Sequence, residues 1–433
     1  MTTRRALLGA AAASPLAAGA NAFAEDCTHL SGACLFSDVK YYADLGEHRT
    51  ARRADARTAH WLRDELARAG CAARLQPFAV EREDVAEASL IVHGETIPVF
   101  PQWPVTWAAG GAIEAPLLSA AWGSAGVYGD RIVVARLPPT RSASAFAPEI
   151  LAPLNAMLAS PPAALAIVTE GLTGGLIALN ARPGLGPWPC PIVLLSPRDA
   201  EPLTQAIAQH DRARLVLRGS RTSATAHNAL GETGAGGAIV VTTPMSGWFR
   251  CAGERGGGIA LWLAMARHVQ SRALPGRFVF ASTSGHELGG LGGHAFLREA
   301  APAPRDVRLW LHFGAGVATY AWRRNGASLV RQSDGPDAQR YLTASTVDRR
   351  AQLARLFEGQ RAYSNPALVT GAGAVGEAAL WMRAGYSDVV GFVAGHAFHH
   401  TPEDGPECTG PELLEPVARA CARLLEETAR QSQ

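Results

Sequence analysis

The sequence has little of three things: lysine, net charge and closely spaced cysteine. It contains 433 residues with a formal net charge of +2, and its only lysine is Lys40. A charge this small argues against nucleic acid or another polyanion as a partner. The seven cysteines are scattered and match neither a zinc ribbon nor a dense disulfide scaffold, although a local Cys27–Cys34 bridge fits an oxidising compartment.

Long apolar runs are missing after the N-terminus, so we expect no integral membrane segment in the mature protein. The N-terminus itself has a twin-arginine pair at positions 4 and 5, an alanine-rich apolar run and a small-x-small cleavage motif at residues 22–24. This pattern is typical of an export signal that is later removed. We therefore expect residues 1–24 to be a signal peptide and the mature protein to be periplasmic or secreted.

Apolar, β-branched runs alternate with helical periodicity over the second half of the chain. Strand-like runs begin near Ala238, Phe278, Leu309 and Asp388, and helix-like segments separate them. This alternation predicts an α/β fold with a mostly parallel sheet sandwiched by helices. The chain ends in a helix with an apolar stripe, and residues 409–412 have the pattern of a capping box at its start.

Residues 110–218 have a different character. Strand-like runs are separated there by dense glycine and proline, and no cluster of acid, base or nucleophile stands out. We interpret this segment as a small β-rich domain inserted into the main one. The predicted organisation is a signal peptide (1–24), the first part of the main domain (25–109), the insertion (110–218) and the main α/β domain (219–433).

Metal-binding side chains follow several of the predicted strands. Glu254 lies in a glycine-rich turn, His286 and Glu287 follow the next strand, His312 ends another, and His400 follows the last. The carboxyl ends of parallel strands meet at one crevice, so we expect these side chains to lie close together. Carboxylate and imidazole groups suit zinc, and three of them plus a water form an open catalytic site. Each residue alone also fits a structural role, such as a surface turn or a hydrogen-bonded core histidine.

Four sequence segments allow a more specific comparison with known families: ATAHNALGETG, AGERGGGIALWLAMAR, FASTSGHELGGLGG and HHTPEDGPECTGPELL. They resemble motifs of the zinc aminopeptidase family that includes bacterial leucyl aminopeptidases, glutamate carboxypeptidase and glutaminyl cyclase. The resemblance covers nearly all of the mature chain. It implies a zinc-exopeptidase fold in which residues 110–218 form a protease-associated domain.

The resemblance also implies roles for individual residues. Glu254, Glu287 and His400 stand at metal-binding positions and would hold one zinc ion, with water in the fourth position. His286 stands where the family has a glutamate as general base, and a neutral imidazole can also take a proton from water. His312 would orient that water or supply a fourth ligand. The implied activity is aminopeptidase-type hydrolysis of amide bonds in peptide or aminoacyl substrates.

Departures from the family pattern leave other interpretations open. Thr243 and Met245 stand where the family has a metal-binding histidine and an aspartate, and a neutral hydroxyl is a poor ligand for a second zinc. The chain could instead be a metal-free, inactive relative that binds a peptide or a partner, or a single-zinc acyl-transfer enzyme of the glutaminyl cyclase type. A two-metal enzyme is a further alternative, with Asp388, Glu377 and His396 as spare ligand candidates.

The residues that would bind substrate are less defined by the sequence. Glu377 is a candidate anchor for a free amine on position alone. Candidates for an apolar pocket are three tryptophans, Trp103, Trp107 and Trp248, although frequent tryptophans are more often packing residues. Cys251 and Cys408 lie close to proposed ligands, where they would form a disulfide, supply a thiol ligand or do neither.

Overall fold

The computed structural model describes residues 28–140, 143–182, 186–326, 328–336, 340–371 and 373–431, so the predicted signal peptide lies outside the described residues. The helices of the described chain are α1 (Gly32–Asp44), α2 (Arg53–Arg68), α3 (Pro148–Leu158), α4 (Glu201–Ala208), α5 (Gly257–Ser271), α6 (Leu291–Glu299), α7 (Val347–Leu356), α8 (Gly376–Arg383) and α9 (Pro411–Arg430). The strands are β1 (Ala72–Val92), β2 (Glu95–Pro98), β3 (Phe100–Pro101), β4 (Ala112–Ala120), β5 (Ile132–Leu137), β6 (Ala164–Thr169), β7 (Ile192–Leu195), β8 (Arg212–Thr233), β9 (Ala238–Pro244), β10 (Arg277–Thr283), β11 (Val307–Phe313), β12 (Tyr320–Asn325), β13 (Ser328–Pro336), β14 (Arg340–Ala344), β15 (Ala367–Leu368) and β16 (Val389–Ala394).

Most strands join one sheet in the order β15-β14-β16-β11-β9-β10-β8-β4-β5-β6-β7-β3, with β1 paired to β8 and β2 paired to β1. At the centre of this sheet, β9 runs parallel to both β10 and β11, and β11 runs parallel to β16. The carboxyl ends of these four strands therefore lie at one edge. The predicted α/β fold with a mostly parallel sheet flanked by helices is confirmed.

Strand β9 shows how the sheet is buried on both faces. Ile239 and Val241 pack into a large apolar cluster with side chains of α1, α5 and α9. Ala238 and Val240, which point to the opposite face, pack into a second cluster with side chains of α6 and α8. Because neither face of the strand meets water, polar groups are left to the ends of the central strands.

Strands β1 and β8 form a long antiparallel ribbon. They contain 21 and 22 residues, and their register shifts once, between Val85 and Glu87. The end of β8 pairs with β10, whereas its beginning pairs with β4, which is followed in parallel by β5, β6 and β7. The ribbon thus connects the central sheet with the β-rich segment. The interpretation of residues 110–218 as a protease-associated-like insertion stays a prediction.

The start of the closing helix differs from the sequence-based expectation. Gly410 is the N-cap of α9 and no side chain caps it, so the predicted capping box is wrong. Thr409 donates its hydroxyl to the Ala318 carbonyl, and Glu412 accepts a hydrogen bond from the Tyr320 hydroxyl. Both side chains tie the helix to a neighbouring segment instead of capping it. The predicted apolar stripe is buried, including Leu414, Val417, Cys421, Leu424 and Leu425.

The cysteines fall into two groups. Cys34 is disulfide-bonded, and its predicted partner Cys27 lies outside the described residues. The other described cysteines are free and buried, namely Cys71, Cys190, Cys251, Cys408 and Cys421. A Cys251–Cys408 disulfide is therefore not formed. Within the described ranges, no helix has both the length and the apolarity to cross a bilayer.

His48 makes stability depend on pH. It is fully buried, its Nε2 lies 3.0 Å from the Tyr42 carbonyl oxygen, and its Nδ1 lies 3.1 Å from the Thr58 hydroxyl. Burial lowers the pKa of His48 from 6.5 to about 3. Below about pH 6.5, His48 is protonated in the unfolded chain but stays neutral in the folded chain. Protonation therefore favours the unfolded state, and stability falls as pH drops from about 6.5 toward 3.

We expect acidification from pH 7 to pH 4 to cost the metal-free protein on the order of a few kcal/mol through His48. Urea denaturation at both pH values measures this loss. A His48→Gln variant, which has no group to protonate, should lose less stability over the same range. Equal losses in the variant and the parent would assign the acid sensitivity to other groups.

Candidate functional site

The residues expected at the strand ends do gather at the carboxyl edge of β9, β10, β11 and β16. Glu254 lies in a π-helical turn, Ala252–Gly256, that follows β9 and leads into α5. Turns of this kind are rare and occur frequently at functional sites. His286 and Glu287 form a short 3-10 turn after β10, His312 lies within β11, and His400 follows β16.

Two of these side chains, together with His399, could hold one metal ion. Among the described residues, Glu254, His399 and His400 each offer a ligand atom, and these atoms lie within 4.8 Å of one another. Glu254 and His400 are buried and His399 is half-buried. The backbone of His400 has a φ of 60°, which is uncommon for a residue other than glycine. Conformations of this kind cluster at functional sites.

The protonation of His400 decides what can lie between it and Glu254. Its Nδ1 is 2.9 Å from the Ala178 carbonyl oxygen, and because a carbonyl only accepts, Nδ1 carries the hydrogen. In neutral His400, Nε2 then presents a lone pair to Glu254 Oε1, which is 3.2 Å away. Two acceptors at this distance repel each other unless they share a cation. The donor set therefore fits a metal ion, or else a second proton on His400.

A buried arginine lies beside this cluster. Arg255 Nη2 is 2.5 Å from Glu254 Oε1, and both side chains are wholly buried. Neither oxygen of Glu254 has an aligned hydrogen-bond partner among the described residues. Burial would raise the pKa of Glu254, but the charges of Arg255, His400 and His399 lower it well below its usual value. Glu254 is therefore ionised, and Arg255 competes with any metal for its charge.

Glu287 lies apart from this cluster. Its Oε1 accepts hydrogen bonds from the Thr50 backbone N–H at 2.7 Å and the Thr50 hydroxyl at 2.6 Å, and its Oε2 accepts from the Ser246 hydroxyl at 2.7 Å. The structure thus joins Glu254 to His400 as expected from the sequence, but it brings His399 to them and not Glu287. Nothing in the sequence distinguishes His399 from the neighbouring histidines of the same loop.

His286 and Glu377 form a second polar pair. His286 Nδ1 is 3.0 Å from Glu377 Oε1, and the Thr283 hydroxyl donates to Glu377 Oε2 at 3.1 Å. Burial would raise the pKa of Glu377, but its hydrogen bond with His286 and the charges of His286, His312 and Arg255 lower it. An ionised carboxylate only accepts, so it fixes the hydrogen on Nδ1 and leaves Nε2 of His286 free to take a proton.

His312 is held inside the sheet. It is buried, and its Nδ1 is 2.9 Å from the Thr242 hydroxyl, which also accepts a hydrogen bond from the Trp310 indole. Burial lowers the pKa of His312 to about 4, so its ring is neutral near pH 7. The charge of Glu377 opposes this effect by raising the pKa of His312, whereas the charge of His286 lowers it further.

The remaining candidates have other partners. Thr243 and Met245 are fully buried. Asp388 forms an ion pair with Arg349 at 2.7 Å, so it is engaged elsewhere. Trp103 and Trp248 pack against each other with ring centroids 5.0 Å apart. Trp107 lies against Gly219, where an added Cβ would meet its ring.

Sequence reasoning missed the contribution of the segment after β6. The Ala178 N–H donates to the His400 carbonyl at 3.0 Å while the Ala178 carbonyl accepts from the His400 ring. Nearby, Asn180 Oδ1 accepts from the Trp248 indole at 3.0 Å, and the Ala181 N–H donates to the Glu287 carbonyl at 2.8 Å. This segment contacts the site mainly through backbone atoms. Backbone contacts do not depend on particular residue types, so the sequence gives no sign of them.

No family model and no curated protein matches this sequence. Solved structures are similar. A zinc aminopeptidase from Bacillus subtilis, BSAP, has a TM-score of 0.71 at 17% identity, covering 93% of this chain and 95% of that chain. An aminopeptidase from an Aneurinibacillus species has a TM-score of 0.63 at 13% identity, covering 93% and 94%. A peptidase precursor from Shewanella amazonensis has a TM-score of 0.68 at 14% identity, covering 92% and 96%.

These likenesses establish the fold. The chain has the fold of these peptidases, which confirms the fold implied by the resemblance noted in its sequence. Identities this low do not transfer an activity, because one fold hosts many functions and the activity depends on the residues of the site.

Proposed function

We propose that this chain is an exported, zinc-dependent hydrolase of amide bonds in peptide or aminoacyl substrates, with a single catalytic zinc held by Glu254, His399 and His400. The observation that carries the proposal is the 3.2 Å approach of His400 Nε2 to Glu254 Oε1, with the hydrogen of His400 committed to Nδ1. Bound there, zinc supplies the Lewis acidity that amide hydrolysis requires. The aminopeptidase fold of the chain supports the same reaction class.

His286 is the proposed proton acceptor. Its side chain is 17% exposed, whereas Glu377 behind it is 4% exposed, so the imidazole is the accessible end of the pair. Glu377 holds the ring by Nδ1, and Nε2 accepts a proton from the attacking water and returns it to the leaving amine. Glu377 is thus a positioning residue.

A cavity of about 390 Å³ borders the loop that carries the two histidine ligands, with Phe100, Gly175, Pro402 and Glu403 in its wall. An Arg198–Glu403 ion pair of 3.0 Å lies at the same place. We place the approach of substrate on this side of the loop, because the cavity borders the segment that carries the ligands. Glu254 and His400 are themselves buried.

The test combines zinc content with turnover. Purified without chelator, the protein should retain zinc and hydrolyse some members of a panel of aminoacyl p-nitroanilides, dipeptides and peptides with N-terminal glutamine. His286→Ala should lower kcat about 10²-fold with unchanged zinc content, because it removes proton transfer and no ligand. The matched control is His294→Ala, which changes an exposed histidine and should leave both kcat and zinc content unchanged.

A second candidate function is peptide or partner binding without catalysis. The observation that favours it is the wholly buried Arg255 guanidinium beside Glu254, which neutralises that carboxylate without a metal. In that case, folded protein would neither retain nor take up zinc at Glu254 and would hydrolyse nothing in the panel. Zinc uptake that depends on His400 excludes this alternative.

A further inference from the structure

A second buried cluster lies against the turn that carries Glu254. It consists of His396, Asp404 and Cys408, which offer a nitrogen, an oxygen and a sulfur atom within 4.8 Å of one another. All three residues are buried, Asp404 and Cys408 almost completely. The cluster shares no residue with Glu254, His399 and His400, and it takes no part in the proposed reaction.

One ligand atom of this cluster, the His396 Nε2, is not satisfied by a hydrogen bond with any described residue. His396 Nε2 has no hydrogen-bond partner among the described residues, although the His396 side chain is 0% exposed. The nearest carboxylate oxygen, Asp404 Oδ2, is 3.5 Å away. The Phe398 N–H approaches the other ring nitrogen at 3.4 Å, which is too long to fix where the ring carries its hydrogen. A buried ring nitrogen without a partner is rare in proteins.

The surrounding backbone is shaped to hold the three groups together. The Gly253 N–H donates to Asp404 Oδ1 at 2.7 Å, and the Glu254 N–H donates to Asp404 Oδ2 at 2.9 Å, so the carboxylate is fixed in orientation. A Cβ at Gly253 would lie 2.6 Å from Asp404 Oδ1, 2.7 Å from Cys408 Cβ and 2.7 Å from His396 Cε1. Only glycine at this position lets all three side chains converge.

We propose that His396, Asp404 and Cys408 bind a zinc ion of their own. A mixed nitrogen, oxygen and sulfur donor set suits zinc, and a thiolate disfavours magnesium and calcium. One thiolate and one carboxylate balance the charge of a divalent ion, so the occupied site is neutral in an interior where an uncompensated charge is costly. The proposal stands independently of the proposed catalytic function.

The role of this ion is to hold two parts of the catalytic edge in register. Asp404 already joins the turn of Gly253 and Glu254 to the loop that contains His399 and His400. A metal that links Asp404 to His396 and Cys408 closes this loop on itself. Structural zinc sites of this kind contribute directly to folding free energy.

Cobalt(II) added to chelator-stripped, full-length mature protein tests the site, because a thiolate ligand gives cobalt a near-ultraviolet charge-transfer band and the Glu254 site contains no sulfur. We expect this band at one equivalent, and its retention in His400→Ala. Cys408→Ala should abolish the band and weaken binding at this site roughly 100-fold. Cys421→Ala, which removes another buried free cysteine, should leave the band unchanged.

Two results would overturn the assignment. One is folded parent protein that takes up cobalt without any thiolate band, or takes up none. The other is a band that survives Cys408→Ala and disappears in Cys251→Ala, which would move the sulfur ligand to the other neighbouring cysteine. If Cys408→Ala fails to fold, His396→Gln provides the same comparison, and the parent protein alone still decides whether a thiolate binds the metal.

Discussion

Replacing His400 by alanine is expected to weaken zinc binding at the proposed catalytic site roughly 10³-fold, because one of few protein ligands disappears. Glu254→Gln should have an effect of similar size, since it replaces an ionised ligand by a neutral one. Competition with a chromophoric chelator measures both affinities. Any zinc bound through Cys408 is recognised by its thiolate signal and counted separately.

The variants His399→Ala and Glu287→Gln distinguish two possible ligand sets. The geometry joins His399 to Glu254 and His400, whereas the sequence alone points to Glu287. We therefore expect zinc loss in His399→Ala and zinc retention in Glu287→Gln. The opposite result would mean that the bound metal draws Glu287 away from Thr50 and Ser246, and the ligand set inferred from the sequence would be correct.

Glu287→Ala is expected to lower the free energy of unfolding by about 3–5 kcal/mol, because it leaves several buried hydrogen-bond donors unsatisfied. Three donors would lose their acceptor: the N–H and hydroxyl of Thr50 and the hydroxyl of Ser246. Glu287 is 1% exposed, so water does not readily replace it. Chemical denaturation at pH 7 of metal-free protein measures the loss without any contribution from zinc.

Two further variants show how much of this loss comes from the hydrogen bonds of Glu287. Thr50→Val, which removes one of the three hydrogen bonds to Glu287, should cost about 1–2 kcal/mol. Glu201→Ala changes an exposed glutamate at the start of α4 and should cost less than about 1 kcal/mol. A loss below 1 kcal/mol in Glu287→Ala would show that its hydrogen bonds contribute little, and its burial would then need another explanation.

The general placement of the site was predictable from the sequence because it follows from strand order. The buried runs that begin near Ala238, Phe278, Leu309 and Asp388 became β9, β10, β11 and β16, which run parallel to one another in the centre of the sheet. Residues that follow such strands have only one edge at which to gather. Glu254 and His400 were therefore expected together, and they are.

The detailed partners were not predictable, because they depend on contacts between distant parts of the chain. Thr50 is 237 residues from Glu287, and no local pattern marks it as the donor that holds this carboxylate. His399 precedes His400 in a run where spacing gives no reason to prefer either. Thr409 fits a capping box by sequence, yet its hydroxyl donates to a carbonyl on another segment. In each case tertiary contacts, and not the local sequence, set the partner.

The paired main-chain hydrogen bonds between Ala178 and His400 have a consequence for mutational mapping. Both atoms that Ala178 supplies belong to the peptide backbone, so replacing its side chain leaves them in place. A scan of single substitutions would score this position by how well a larger side chain fits its fully buried surroundings, and would miss its link to the histidine. Insertions, deletions or an ester in place of the amide would reveal it, because they move or remove the polar atoms themselves.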